Sequence, residues 1–333
     1  MSDMAAPSAT KRRRERVQDY VPGLLVPPPV FVWPWSLGRF LRWIFGFPGY
    51  LWPWNAAYLA IAIVTWAWLT PPLASMRSFA PGWVGFLLLR NALLLAVVAG
   101  AWHLRLYVQR AQGTAFKYNG RWPDAPNGSF LFHSQIRDNL FWTFVSGVPI
   151  WTAWEAVTFW MQARGHIPVV SFAAHPFWCV ALLLLIPLWR EVHFYAIHRL
   201  IHWPPLYRTV HKLHHANINP GPWSGLSMHP VEHLLYFSAV LLHWVVPSHP
   251  LHVVFELQHL AFAPSLGHNG FDRVRLPGGA TLPAEHYAHY LHHKYFEVNY
   301  SDGVMPLDRL FGTFHDGTDI ATEAMNRRLL ARR

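Results

Sequence analysis

EVHFYAIHRLIHWPPLYRTVHKLHH, residues 191–215, puts six histidines on an otherwise largely apolar stretch. Helical periodicity orders them. Residues three and four apart share a helix face, so His198 pairs with His202, and His211 groups with His214 and His215. A second stretch, EHYAHYLHH from Glu285 to His293, repeats the spacing with His289, His292 and His293. Each set therefore points two or three imidazoles one way. Imidazole is the commonest metal ligand, and clustered rings that all took up protons would repel one another. The pattern predicts helices that gather histidines around metal. His193, five residues before His198, faces away from that pair and reads as a supporting or structural residue.

Composition sets the surroundings. The chain has 333 residues, of which 53% are hydrophobic, 13% are charged and 19 are Trp. That balance belongs to a membrane protein. The net charge of +10 lies between apolar segments with no nucleic-acid motif, so it reads as a topology signal and no nucleic-acid partner is expected. The single Cys179 has no partner in the chain for a disulfide and reads as packing.

Working outward, residues 1–20 carry the basic run Lys11, Arg12, Arg13, Arg14, Arg16, expected as a cytoplasmic tail. Residues 21–50 are rich in Pro, Trp and Phe and suit the membrane interface. A bilayer needs about 20 apolar residues in helix, and four stretches qualify: Leu51–Thr70, Gly82–Tyr107, Leu140–Met161 and Val169–Leu188. Val231–Leu266, broken at Pro247 and Pro250, reads as a shallow helical hairpin. The expected fold is an all-α integral membrane protein, with about four transmembrane helices, the hairpin and a His-rich cap. Lys and Arg in 108–139 and around Arg190 put the cap on the cytoplasmic side. Arg90 and Glu155 fall inside expected spans; a mutual ion pair and a snorkelling Arg90 are both open.

HRLIH (198–202), HKLHH (211–215) and HYLHH (289–293) together resemble the histidine boxes of the fatty acid hydroxylase superfamily, which includes the sterol desaturases. SMHPVEHL (227–234), GHNGFD (267–272) and LDRLFGTF (307–314) resemble further family segments, the first most like sterol C-5 desaturases. The resemblance covers roughly residues 130–316. It departs at Ser301 and Leu307, where the family has Gly and Trp. It implies residues 131–316 as the hydroxylase-like domain; charge and hydropathy give residues 1–50 as a cytoplasmic tail and interfacial segment, 51–130 as N-terminal transmembrane helices and loop, and 317–333 as a basic tail.

The resemblance further implies two irons held by His198, His202, His211, His214, His215, His268, His289, His292 and His293, with dioxygen as co-substrate. Glu191, Tyr195, Asp272, His286 and Asp308 are the candidates for orienting those rings. Asn217, Asn219, Trp223 and Ser224 are the candidates for a substrate entrance. The chain lacks a dinucleotide motif after a strand and a fused haem module, so electrons are expected from a ferredoxin or small cytochrome with its reductase. The implied activity is hydroxylation or desaturation of a lipid: sterol, fatty acyl, ornithine lipid or ether lipid. A His-rich metal transporter is the alternative from another class, and it would carry ligands near the bilayer midplane. HPVEH (229–233) also matches an inverted zinc-protease pattern, although Pro230 sits where the ligand helix should continue.

Overall fold

The computed structural model describes residues 19–331 apart from 24, 26, 124, 125 and 285. The basic run at 11–16 and Glu285 lie outside the described residues. The chain is mostly helical. Its elements are α1 (Leu37–Phe45), α2 (Trp54–Trp68), α3 (Pro81–His103), α4 (Gln135–Trp142), α5 (Val148–Arg164), α6 (Pro176–Ile201), α7 (Pro204–Leu206), α8 (Lys212–His215), α9 (Pro230–Phe237), α10 (Leu242–Val245), α11 (Pro250–Gly267), α12 (Tyr287–Tyr295), α13 (Leu307–Leu310) and α14 (Asp319–Leu330). Two short antiparallel strands, β1 (Arg273–Arg275) and β2 (Thr281–Pro283), pair Val274 with Leu282. They add a ribbon to the all-α expectation, and α14 adds a helix to the expected basic tail.

Several helix starts are written in the sequence as His-Pro. Proline suits the first helical position because its missing N–H would be unpaired there anyway. α6, α9 and α11 begin at Pro176, Pro230 and Pro250. The preceding His229 and His249 accept the backbone N–H of Val231 and Leu251 on Nδ1. These histidines are helix caps, which accounts for two outside the boxes.

The centre of the fold is α11, with 16 of its 18 residues buried. A helix apolar nearly all round belongs inside other helices, and α11 packs against α2, α3, α5 and α6. This corrects the expected shallow hairpin. Its tip runs deep enough for Ser248 N–H to donate to Pro168 O, while Val170 N–H donates back to Ser248 O. The two proline breaks make a turn between legs that both run along the bundle.

The expected count of four spans is not confirmed. Among the described residues two helices are long and apolar enough to cross a membrane, Pro81–Val108 and Pro176–Ile201. The first is α3 extended by a π turn over Leu104–Val108. α2 has 15 residues, about 22 Å of helix against a hydrocarbon core of about 30 Å. α4 runs through a π turn (Thr143–Gly147) into α5, but this run carries a buried polar stripe of Thr152, Glu155, Thr158 and Gln162. The last span begins at Pro176, seven residues later than expected, and runs on through His198. Leu89, Leu93 and Val97 on α3 and Phe177, Val180 and Leu185 on α6 are exposed, an apolar belt that suits lipid.

The Arg90 question resolves as an ion pair. Its guanidinium meets both Glu155 oxygens at 2.5 and 2.6 Å, and Asn91 Nδ2 donates to Glu155 Oε2 at 2.9 Å. Arg90 also donates to Leu69 O and Thr70 Oγ1. The pair ties α3 to α5 and to the end of α2.

Candidate metal centre

Nine histidines converge at the end of α6, and they form two groups. His198, His202, His211, His215 and His292 make the first; His214, His268, His289 and His293 make the second. Within each, one ring nitrogen per residue lies within 4.8 Å of all the others. These are the nine residues the sequence singled out. Their division differs from the expected one-face arrangement.

Helix geometry explains the division. Each residue advances about 100°, so positions i and i+4 differ by about 40° whereas adjacent residues differ by about 100°. His211 and His215 therefore point together into the first group, and His214 turns into the second. In α12 the sense is reversed: His289 and His293 serve the second group, and His292 the first. His198 and His202, also four apart, both serve the first. Each HxxHH box thus splits two to one, and the pair of boxes stitches the two groups together. A π turn over Tyr207–His211 leads directly into α8. His268 arrives from the C-terminal end of α11, where its Nδ1 and its backbone N–H both reach Pro264 O at 2.9 Å.

The nitrogen positions fit a metal. In the first group Nε2 of His202, His215 and His292 form a triangle with sides of 3.0, 3.1 and 3.2 Å. A closed triangle of imidazole nitrogens cannot be satisfied by straight N–H···N bonds. Nitrogens bound at about 2.1 Å and at right angles around one ion would be about 3.0 Å apart. In the second group His268 Nε2 lies 2.9 Å from His289, 3.0 Å from His293 and 3.3 Å from His214 at the same atom. His211 Nε2 is buried without a hydrogen-bond partner among the described residues.

The opposite edges of five rings are held, that of His268 by Pro264 O. Nδ1–H donates to Tyr300 O from His198 (2.7 Å), to Ser227 O from His214 (3.2 Å) and to Val298 O from His292 (2.6 Å). His211 Nδ1 meets Glu232 Oε1 at 2.8 Å. A donor bond at Nδ1 fixes the tautomer that leaves the Nε2 lone pair facing inward. Burial keeps the rings neutral. It pushes His214 down to about 4 and, with the neighbouring His198 adding to it, His202 to about 2. His211, His215, His268, His289, His292 and His293 are likewise held well below the ordinary imidazole value by burial first.

The expected orienting residues divide. Asp308 accepts from Tyr300 N–H, Ser301 N–H and Thr313 Oγ1, so it shapes the loop that offers Tyr300 O to His198. Glu191 accepts from Gly303 N–H in the same loop. Tyr195 stacks on Phe311 at 5.4 Å. Asp272 takes the hydroxyl of Tyr118 and touches no metal-group imidazole. His286 is a cavity wall and belongs to neither group. The sequence reading missed Glu232 and Asp302, whose Oδ1 lies 3.9 Å from His289 Nδ1. Glu232 was visible as the acid of HPVEH. That motif is no zinc site here, because His229 caps α9 while His233 meets Ser146 Oγ and Leu226 O.

Between the groups lies a cavity of ≈ 20 Å³, walled by His198, His211, His214, His268 and His289 with Phe194, Met228, Tyr236 and Ala263. It holds roughly one water-sized molecule. The four expected entrance residues do not line it. Trp223 and Ser224 form a tight buried turn, in which Ser224 Oγ donates to Gly221 O. Asn217 bridges His214 O and Asn139, and Asn219 receives Lys117 Nζ at 3.1 Å. Polar side chains after a Pro/Gly break serve the loop's own backbone here, which is what such residues do in tight turns. Gly225, next along, takes the wall position instead. A Cβ there would fall 2.5 Å from Pro264 O.

Residues 181–313 match the model of the fatty acid hydroxylase family. Among curated proteins, the chain is 29% identical over 163 residues to a Delta(7)-sterol 5(6)-desaturase of Aspergillus fumigatus, covering 46% of this chain and 44% of that protein. A second such desaturase of that fungus is 26% identical over 68% of this chain and 67% of its own length. The Saccharomyces cerevisiae Delta(7)-sterol 5(6)-desaturase is 29% identical over 38% of this chain and 33% of its own. The first of these alignments thus spans less than half of the relative. No solved structure is significantly similar.

Proposed function

Because the chain is a member of the fatty acid hydroxylase and sterol desaturase family, we propose that it is a membrane oxidoreductase that hydroxylates or desaturates an unactivated C–H of a lipid. The observation that carries this reading is the pair of histidine groups opening on one cavity. Imidazole alone suits zinc, copper, iron and nickel; the family supports iron, one ion per group. Bound iron supplies dioxygen activation and the power to cleave such a C–H bond.

The chain's own residues do the rest. The carbonyls of Tyr300, Ser227, Val298 and Pro264 and the carboxyl group of Glu232 hold five of the rings in place before substrate arrives. Such preorganisation is the protein's main contribution when a cofactor carries the chemistry. Phe194, Met228, Tyr236 and Ala263 give the cavity an apolar wall opposite the polar one that Glu232, His286 and Asp302 add, and they exclude bulk water from the reacting carbon. A lipid carbon enters only as these walls shift. The lipid itself reaches the site from the bilayer beside α6, and the Lys and Arg distribution supports a cytoplasmic cap. The sterol desaturases among the relatives favour a sterol-like substrate over the acyl and polar-lipid alternatives.

Lipid extracts from cells with and without the protein, grown under air and then without oxygen, test this. One new hydroxylated or desaturated lipid is expected under air alone. It should be absent with His214→Ala or His293→Ala and present with His166→Ala. An unchanged lipid profile in air, with iron in the protein, would refute the reading.

A further inference from the structure

The two sides of the first histidine group differ. His198 and His211 face the cavity, whereas His202, His215 and His292 do not. Eight of the nine histidines are buried, and His202 alone is partly exposed. Its ring lies 4.8 Å from Tyr300 and 5.4 Å from Tyr207, and His215 lies 4.9 Å from Phe296 and 5.6 Å from Tyr207. Tyr207 and Phe296 are half-buried, so a thin layer of aromatic rings separates the group from the surface.

Cations lie next to the residues of that layer in the chain, together with one acid, Glu297, which accepts the Tyr300 hydroxyl at 3.1 Å. Arg199 lies 4.6 Å over the Tyr300 ring. Arg208, Lys212 and Lys294 are exposed. None of the four has an ion-pair partner among the described residues. Trp203, Leu200 and Ile218 add exposed apolar side chains nearby in the chain. Cations without internal partners, beside apolar and aromatic groups, suit a transient partner of opposite charge.

We propose that the surface around His202 is the docking site of a small acidic electron-carrier protein. The inference rests on the proposed oxidoreductase reading and deepens it by fixing where electrons arrive. The carrier meets the first group from outside, opposite the cavity, so electron delivery and lipid access use different faces. Contacts of this kind are small, and charge sets their rate and orientation more than their strength.

Binding is measured without turnover, so its outcome is separate from whether a lipid is oxidised. The probes are a plant-type [2Fe–2S] ferredoxin and a cytochrome b5 haem domain, each with an acidic surface, passed over the iron-loaded full chain. At least one should bind, weakening about tenfold or more as salt rises from about 50 to about 300 mM. The charge-reversed R208E/K212E/K294E should lose about tenfold or more in affinity while retaining iron. The neutral R208Q/K212Q/K294Q should fall between. R137E/R275E, elsewhere on the surface, should bind like the parent. The proposal fails if neither carrier binds the parent chain. It also fails if the neutral and reversed triple variants both bind as the parent does, or if the remote pair weakens binding equally.

Discussion

Glu232 does for His211 what backbone carbonyls do for His198, His214, His268 and His292. It is a side chain in a role otherwise filled by the main chain, so it can be removed cleanly. Partners that orient a ligand ring are worth about 10- to 100-fold in metal affinity. Glu232→Ala should therefore release iron about 10- to 100-fold more readily to a chelator, and Glu232→Gln, which keeps an acceptor oxygen, should lose less. Equal release from parent and alanine variant would mean the contact does not hold the ring. The same rings set a pH dependence. Folded His214 titrates near 4 and His202 near 2, against 6.5 for the ordinary imidazole. The unfolded chain therefore takes up protons first. The contribution of these two rings to the stability of the metal-free protein should be constant above about pH 7. It should weaken from about pH 6.5 down towards the folded values, by up to about 1.4 kcal/mol per pH unit for each such ring. Thermal unfolding in detergent from about pH 8 to about pH 5, compared between the metal-free parent and His214→Ala, reads this; the same pH slope in both would contradict it.

At the scale of elements, the two-to-one split of each HxxHH box makes the register of α8 and α12 decisive. One alanine inserted between Leu213 and His214 turns His214 and His215 by about 100° relative to His211. Each group then loses a ligand. Iron content should fall below one per chain with helicity unchanged, whereas the same insertion beside Gly278, in the β1–β2 turn, should be tolerated. Retention of full iron by the first variant would show that the box geometry is not limiting. The spacing of the boxes makes eight of the nine histidines legible in the amino-acid sequence, and the resemblance of GHNGFD adds His268. Which ring joins which group is not legible there, because that depends on where α6, α8, α11 and α12 meet. Hydropathy finds α3 and α6 but misplaces the start of α6, since His175–Pro176 fixes it while the apolar run begins earlier. Glu232 is hidden because its motif points to a different metal chemistry. Asn217, Trp223 and Ser224 look like an entrance because polar and aromatic residues in a loop are equally suited to packing that loop.

Across the whole molecule, α11 forms the pillar, and α2, α3, α5 and α6 surround it. The Arg90–Glu155 pair closes the bundle away from the histidines. The pair is fully engaged with Asn91, Leu69 and Thr70, so its place is in holding helices, where removing one partner typically costs several kcal/mol. α6 starts among exposed apolar side chains and ends in His198, and α11 ends beside His268. The fold thus delivers both groups of ligands to one end of its longest apolar helices, where a lipid can meet them. Everything proposed for this chain depends on two metal ions being there. The direct measurement is elemental analysis of the full chain, purified without chelator from iron-replete cells. The account predicts two irons per chain, lost in His214→Ala and His292→Ala; one zinc and no iron would contradict it.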